Sequence, residues 1–294
     1  MEAKFMKLPG NTIANAMQRE MKKEIKALSK GKKQPHLVTF LVGESAEQTS
    51  YVAIKRRVAK ELGIKFTFIH ITHIPIFEKL IHQIRTYAHD PTVTGVIIQQ
   101  PLPPQLQTDS IYNFIPNEKE IEGHKEKSLF FPPIGLAVLC VIKFMYTKQK
   151  ADSTCIVQLK KDTEFFKKIL KNKRVCLIGR GPTGGMPISK TLSALKINYI
   201  NTNSTTPTPE QYYKESDIII TATGKKILFK ENIKPGTMLI NVGLRKEKGK
   251  LHGDYDENDI KGVASSYTPT PGGTGPIDVM YLYKNLIEAT KMQK

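Results

Sequence analysis

Along the first third of the chain, stretches of helical spacing alternate with short apolar runs of strand length. Thr12–Lys30 carries apolar residues at three- and four-residue intervals and stops at Gly31, which predicts an amphipathic helix. His36–Gly43 (HLVTFLVG) is a continuous apolar run and predicts a buried strand. Ala46–Leu62 returns to helical spacing and is closed by Gly63. Ile64–Ile71 (IKFTFIHI) alternates with period two, the pattern of a half-buried strand, and Ile76–Ala88 is again helical. Thr94–Gln99 (TGVIIQ) reads as a buried strand, cut off by the prolines of Pro101–Pro104. After a polar stretch, Leu129–Tyr146 reads as a proline-started buried helix, TKQKADST as a loop, and Asp162–Lys171 as a basic amphipathic helix. Alternation then resumes: strand Arg174–Ile178, helix Thr183–Leu195, strands Ile197–Asn201, Asp217–Ala222 and Met238–Val242, and a last helix Ile277–Met292. Strands alternating with helices predict an α/β fold with right-handed crossovers and a mostly parallel sheet.

At 294 residues, 39% of them hydrophobic, the chain can fill the cores of two domains and is not a disordered, collagen-like or disulfide-stapled protein. The longest apolar run, Ile134–Tyr146, falls short of the roughly 18–20 residues of a membrane span and contains Lys143. No apolar stretch follows the charges of MEAKFMKLPG, so no secretory signal is expected. Three cysteines at wide spacing fit no metal pattern; reduced thiols, a cytoplasmic location and no bound metal are expected. The net charge is +18, yet only seven of the 45 basic residues are arginine, and the lysines are scattered over helix faces without interleaved aromatics. That argues for a solvated surface that attracts polyanionic small ligands rather than for nucleic-acid readout.

The sharpest motif is RVCLIGRGPTGG, Arg174–Gly185. A buried strand feeds Gly179, Gly181 and Gly184, and a helix follows, the context in which glycines let a backbone approach a dinucleotide pyrophosphate. The candidate cofactor-binding residues are Gly179, Arg180, Gly181, Thr183, Gly184 and Gly185, with Ser204 after the second strand and Thr223 and Gly224 after the third. The second strand runs into Asn201, Thr202, Asn203 and Ser204 with no acid. Asp or Glu there would hold ribose hydroxyls and repel a 2′-phosphate, so its absence, with Arg180 in the turn, favours NADP over NAD. Tyr51 and Lys55 are four residues apart and share a helix face. Spacing alone reads them as a packed aromatic and a solvated lysine. VIIQQPLPP ends a strand in Gln99 and Gln100, either a simple cap or polar groups at the carboxyl end where α/β sheets bind ligands. YTPTPGGTGPID, Tyr267–Asp278, is a proline- and glycine-fixed loop before a helix, either a linker or a ligand-contacting loop.

Taken in order, LVGES, SYVAIKRRVAKELGI, GVIIQQPLP, KEIEG, IGRGPTGGMP, LINVGLR with GDYD, and YTPTPGGTGP resemble the bifunctional methylenetetrahydrofolate dehydrogenase/methenyltetrahydrofolate cyclohydrolase family over about residues 35–294. The resemblance implies that Lys55 is the catalytic lysine, that Tyr51 packs on the folate ring system, that Gln99 hydrogen-bonds Lys55, and that Glu122 anchors the pterin. It implies a 2′-phosphate contact at Ser204, and that Pro271, Gly272, Gly273 and Pro276 line the substrate cleft. The chain departs from the family pattern in Glu122 for Asp, Gly181 for Ser, Gln48 for Ser and Asn241 for Asp. Its counterpart of the family's PCTP segment is only FFPPIGL, Phe130–Leu136.

The implied molecule has two α/β domains facing a cleft. Residues 1–125, with the helix 277–294 returning, would bind folate; residues 126–276 would form a Rossmann-like NADP domain. The implied activity is oxidation of 5,10-methylenetetrahydrofolate by NADP⁺, then hydrolysis to 10-formyltetrahydrofolate, a one-carbon donor for purine biosynthesis, by a homodimer. A dehydrogenase lacking the hydrolytic step and a different NADP-dependent Rossmann oxidoreductase remain the alternatives. The sequence leaves Lys55 open as a proton acceptor or as an ammonium that stabilises oxyanion charge.

Overall fold

The computed structural model describes residues 5–31, 33–147 and 150–293. Met1–Lys4 at the head of MEAKFMKLPG, Lys32 of a basic run, Lys148 and Gln149 of the TKQKADST loop, and Lys294 lie outside the described residues. In chain order the first elements are β1 (Met6–Lys7), α1 (Gly10–Lys30), β2 (His36–Val42), α2 (Ala46–Leu62), β3 (Lys65–Ile71), α3 (Phe77–Ala88) and β4 (Gly95–Ile98). Next come α4 (Pro133–Thr147), α5 (Leu159–Leu170), β5 (Val175–Ile178), α6 (Gly185–Ala194), β6 (Ile200–Thr202), α7 (Pro209–Glu215) and β7 (Ile218–Thr221). The chain ends with β8 (Met238–Asn241), β9 (Arg245–Glu247), β10 (Lys250–His252), α8 (Glu257–Ile260), β11 (Ser266–Tyr267) and α9 (Thr274–Met292). No helix among the described residues is long and apolar enough to cross a membrane.

The chain divides into two compact units. One comprises Gln18–Pro133 and Val279–Lys294; the other comprises the chain through Met17 and Ile134–Asp278. The sequence reading puts the boundaries at 125/126 and 276/277 and gives residues 1–17 to the first unit. They group with the second because β1 pairs in parallel with β11, with Met6 opposite Ser266 and Lys7 opposite Tyr267. A two-residue strand has no periodicity by which to be seen.

The first unit is built on a parallel sheet in the order β3-β2-β4. All seven residues of β2 are buried, as expected of a central strand in a parallel sheet. Phe40, Val42, Leu80, Ile84, Val96 and Ile98 form the centre of one core cluster. The period-two pattern of β3 predicts one buried face, but no residue of that strand is buried. It lies at the sheet edge, and both faces stay partly open.

The second unit carries six parallel strands in the order β1-β11-β8-β7-β5-β6. The chain passes from β5 outward to β6, then returns to β7 on the opposite side of β5. The carboxyl ends of β5 and β7 therefore bound the crevice where doubly wound sheets bind ligands. The α4 helix predicted from its apolar run is buried along most of its length. Gly135 in its first turn has no room for a side chain: a Cβ there would lie 2.0 Å from Thr191 Oγ1 on α6. β6 starts three residues later than Ile197, because Lys196 at φ 56° and the Ile197 N–H to Leu192 carbonyl bond still belong to the end of α6. The β9–β10 hairpin, not predicted, turns through Lys248 and Gly249, both with positive φ.

Candidate active site

In the first unit the site begins with α2. Ser45 caps it by accepting from the Gln48 N–H, and Gly63 at φ 73° terminates it. Tyr51 and Lys55 lie one turn apart on this helix, and the Tyr51 hydroxyl is 3.4 Å from Glu47 Oε1. Gln48, unusual at its position, is buried and donates to the Pro101 carbonyl at 2.7 Å, tying α2 to the proline turn.

Gln99 immediately follows β4, and its N–H donates to the Phe40 carbonyl, so the strand ladder holds its backbone. Lys55 Nζ donates to Gln99 Oε1 at 3.0 Å. Tyr283 on α9 donates its hydroxyl to the Lys55 carbonyl at 2.5 Å. A single bridge between Val96 and Glu120 lays residues 119–122 beside β4. The Glu122 N–H then donates to Glu120 Oε1, and Glu122 Oε1 comes within 3.6 Å of Lys55 Nζ. The Lys55 and Glu122 side chains are only 14% and 19% exposed, so the pair is far less screened than a surface ion pair. Burial opposes ionisation of Glu122, but the Lys55 charge and His124 outweigh it and hold the carboxyl below its ordinary range. Lys55, Gln99 and Glu122, 67 residues apart at the extremes, thus converge on one point, with Tyr51 a turn away.

Two neighbours, His124 and Tyr112, escaped the sequence reading as site residues; Gln100, read there as either a cap or a ligand-facing amide, joins them. His124 Nε2 lies 3.6 Å from Glu122 Oε2, and its ring stacks on Tyr112 with centroids 4.2 Å apart. Gln100 Nε2 donates to the Tyr112 hydroxyl at 2.8 Å. A histidine two residues past the candidate carboxylate was the available signal; nothing local marks Tyr112.

The nucleotide-type turn is in the second unit. Gly179, at φ 112°, ends β5, and a Cβ there would lie 2.5 Å from the Ala222 carbonyl oxygen past β7. A Cβ on Gly185, the first residue of α6, would lie 2.2 Å from the Gly179 carbonyl oxygen, and one on Gly184 would press on Ala222. Gly181 differs: a Cβ there would meet nothing within 4 Å, so steric need does not select glycine at that position. Arg180 and Thr183 are exposed at the turn, and Arg180 donates to the Asn201 carbonyl at 3.3 Å, which brings its guanidinium to the end of β6. There Asn203 Oδ1 accepts from the N–H and hydroxyl of Thr205, leaving Ser204 exposed at the tip of the turn.

Past β7, the Thr223 N–H donates to Asp254 Oδ2 at 2.8 Å, and Gly224 turns the chain at φ 68°. Asp254 is fully buried, and that burial, ahead of its hydrogen bonds, pushes its carboxyl above the ordinary range. Asn241 joins four segments: it accepts from the Asp254 N–H and the Thr221 hydroxyl, and donates to the Gly243 carbonyl and Thr270 Oγ1. An aspartate here could make only the first two of these bonds without a proton on it.

Thr270 opens the proline–glycine loop. Gly272 has φ 92°, and a Cβ on Gly273 would meet the Pro269 carbonyl oxygen at 2.4 Å. Gly10, at the start of α1, packs so closely on Gly273 that it too has no room for a Cβ. Pro271 and Gly272, with Asn11, Tyr267 and Thr270, line a groove of about 590 Å³; Gly273 and Pro276 do not line it.

The sequence model of the tetrahydrofolate dehydrogenase/cyclohydrolase catalytic domain matches residues 8–122, and that of the same family's NAD(P)-binding domain matches residues 151–294. A bifunctional protein FolD from Listeria innocua is 31% identical over 97% of this chain and 96% of its own length. Among solved structures, the bifunctional methylenetetrahydrofolate dehydrogenase/cyclohydrolase FolD of Campylobacter jejuni superposes with a TM-score of 0.83, at 25% identity over 98% of this chain and 99% of that one. A 5,10-methylenetetrahydrofolate dehydrogenase from the silkworm Bombyx mori gives 0.80 at 27% identity, with the same coverage. A strand-end glutamine meeting a helix lysine and a carboxylate, a glycine turn at the switch of a doubly wound sheet, and sequence likeness along the whole chain lead to one conclusion: the protein belongs to the tetrahydrofolate dehydrogenase/cyclohydrolase family.

Proposed function

We propose that the protein oxidises 5,10-methylenetetrahydrofolate to 5,10-methenyltetrahydrofolate and hydrolyses that product to 10-formyltetrahydrofolate. The observation that carries this reading is the convergence of Lys55, Gln99 and Glu122 within one half-buried cluster. A dinucleotide supplies the hydride acceptor for the first step. The residues of the chain bind and orient, because the methylene carbon is already activated by the two nitrogens that flank it. In the second step water adds to the cationic methenyl carbon and the ring opens. Lys55 faces an amide oxygen and a carboxylate, both partners for an ammonium, so we assign it the stabilisation of negative charge developing on oxygen. Gln99 holds the lysine in place. Glu122 accepts hydrogen bonds from the pterin, and Tyr51 offers its ring to the folate.

The dinucleotide site follows from the turn of Gly179, Gly184 and Gly185, with Thr223 and Gly224 on the facing loop. NADP fits best: Arg180 and Ser204 stand exposed around the end of β6, and no carboxylate occupies the segment from Asn201 to Thr208. Pro271, Gly272, Gly273 and Pro276 serve as a substrate-side loop. The open edge strand β3 supports a homodimer, to be checked by light scattering. Three buried cysteines in no disulfide support a reducing, cytoplasmic setting.

The deciding experiment is an absorbance assay with 5,10-methylenetetrahydrofolate and either NADP⁺ or NAD⁺, followed by the decay of the methenyl product. Reduction with NADP⁺ preferred, then hydrolysis faster than the uncatalysed rate, is the expected result. Absence of dinucleotide reduction overturns the reading. Reduction without accelerated hydrolysis reduces it to the dehydrogenase alone.

A further inference from the structure

His124 lies in the polar stretch following the candidate pterin anchor, and nothing in the reading above uses it. Its position is set from two sides. Its ring lies flat on Tyr112, 4.2 Å between centroids at an interplanar angle of 14°. Its Nε2 faces Glu122 Oε2 at 3.6 Å, while Lys55 faces the other oxygen, Oε1, at the same distance. The two walls are held by adjacent residues at the end of β4: Gln99 takes the Lys55 ammonium, and Gln100 donates to the Tyr112 hydroxyl. All three charge-bearing side chains are shielded, at 14%, 19% and 21% exposure.

We propose that His124 is a positioning residue for the reaction, clamping Glu122 from the side opposite Lys55 and keeping the carboxylate ionised and aimed as the pH falls. The proposal rests on the assignment of Glu122 as the pterin anchor and extends it. An imidazole gains its proton as pH drops through the region near 6.5. A protonated ring at Nε2 places a second positive charge beside the carboxylate, which favours its ionised form. Lys55 makes its closest approach to Oε1 and His124 to Oε2. Other titratable groups at this corner are Tyr112, Glu120, Asp109 and Lys125, whose ammonium donates to the Ile115 carbonyl and Asn117 Oδ1. Tyr112 is neutral, since burial and then the Glu122 charge push its phenol far above its ordinary value. Glu120 is committed to the backbone N–H groups of Glu122 and Lys125 and the Ser128 hydroxyl. Asp109 acts on this corner only through Tyr112 and at long range.

Two measurements test this. The first needs no turnover: the His124 ring is titrated by NMR in the full-length protein and in Glu122→Gln. Loss of a facing carboxylate withdraws support for the imidazolium, so the His124 titration should move to lower pH in the variant. The second is the pH profile of kcat/KM for methylenetetrahydrofolate in His124→Phe, which keeps a ring to stack on Tyr112 but has no charge. Its acid limb should move up by about one pH unit, a loss of about tenfold on the acid side, with kcat at pH 8 little changed. His124→Asn is the second variant if the first folds poorly, and NADP⁺ affinity is the folding control. A His124 titration indifferent to Glu122→Gln overturns the proposal, as does an unmoved acid limb in an active, folded variant. Should the protein oxidise no methylenetetrahydrofolate, the functional reading fails while the NMR titration still decides the clamp.

Discussion

At the scale of single residues, the role proposed for Lys55 gives the sharpest test. Its 3.0 Å bond to Gln99 and its approach to Glu122 place it where a single substitution separates folding from chemistry. Lys55→Met keeps the length and apolar stem of the side chain and removes the charge. Hydrolysis of the methenyl product should fall by about two to four orders of magnitude, while NADP⁺ binding and the melting temperature stay near the parent values. A hydrolysis rate within about threefold of the parent would remove Lys55 from the mechanism. We assign the choice of dinucleotide to Arg180 and Ser204, exposed around the end of β6. The double variant Arg180→Ala/Ser204→Ala should lose the preference for NADP⁺ through weaker binding of NADP⁺, not stronger binding of NAD⁺, since charge-assisted bonds to a phosphate contribute roughly 1.5–3 kcal/mol each. Kinetics with both dinucleotides read this directly; a preserved preference would assign the 2′-phosphate to other residues.

Among elements, the strand–turn–helix from β5 to α6 shows why glycine at one position differs from glycine at the next. Gly185→Ala would place a methyl 2.2 Å from the Gly179 carbonyl oxygen, well inside the 3.0 Å below which Cβ contacts essentially never occur. The turn must then open, so the expected outcome is loss of dinucleotide binding and a lower melting temperature. Gly181→Ala faces open space, and its effect on stability should stay within about 0.5 kcal/mol. Thermal melts and dinucleotide titrations of the two variants side by side make the check. Equal damage in both would mean that the turn is not built as described. The glycine spacing is legible in the sequence as a motif. Which glycines are sterically obligatory is not, because the obstructing atoms belong to Ala222 and to Gly179 itself, across the crevice.

For the molecule as a whole, the three thiols offer a global probe. Cys140, Cys155 and Cys176 are all buried and form no disulfide, so a thiol reagent should titrate none of them in the folded protein and all three in denaturant. Burial pushes the Cys176 thiol up from 9.0 to about 11. Between those values the unfolded chain gives up this proton while the folded chain keeps it. The Cys176 contribution to stability is therefore complete below pH 9 and is lost as pH rises toward 11. Cys176→Ala should make the alkaline fall of the melting temperature shallower than in the parent; an identical slope would mean that the thiol is not shielded. The large positive charge enters at this scale as well. It is carried mostly by lysines at exposed positions, and the ion pairs they form, such as Lys23–Glu20 and Lys167–Glu164, lie at the surface, where each contributes little.

Much of the architecture was readable from residue patterns because it rests on local physics. The continuous apolar runs of β2, β4, β5, β7 and β8 have to be buried on both faces, which only a covered parallel sheet allows. The capped amphipathic run of α2 and its glycine stop are set by neighbours within a few residues. Motif order then pointed to Lys55, Gln99 and Glu122. Tertiary structure decided the rest, for reasons that sequence distance hides. β1 exists only because β11, some 260 residues away, supplies its hydrogen bonds. The alternation in β3 does not report a buried face, because a strand at a sheet edge has too little packed against it. Tyr112 and Gln100 join His124 and Glu122 through ring stacking and a side-chain hydrogen bond that no spacing rule encodes. Asn241 becomes a junction of four segments only after β7, β8 and the proline–glycine loop have come together, when its amide alone has both the acceptor and the donors they require.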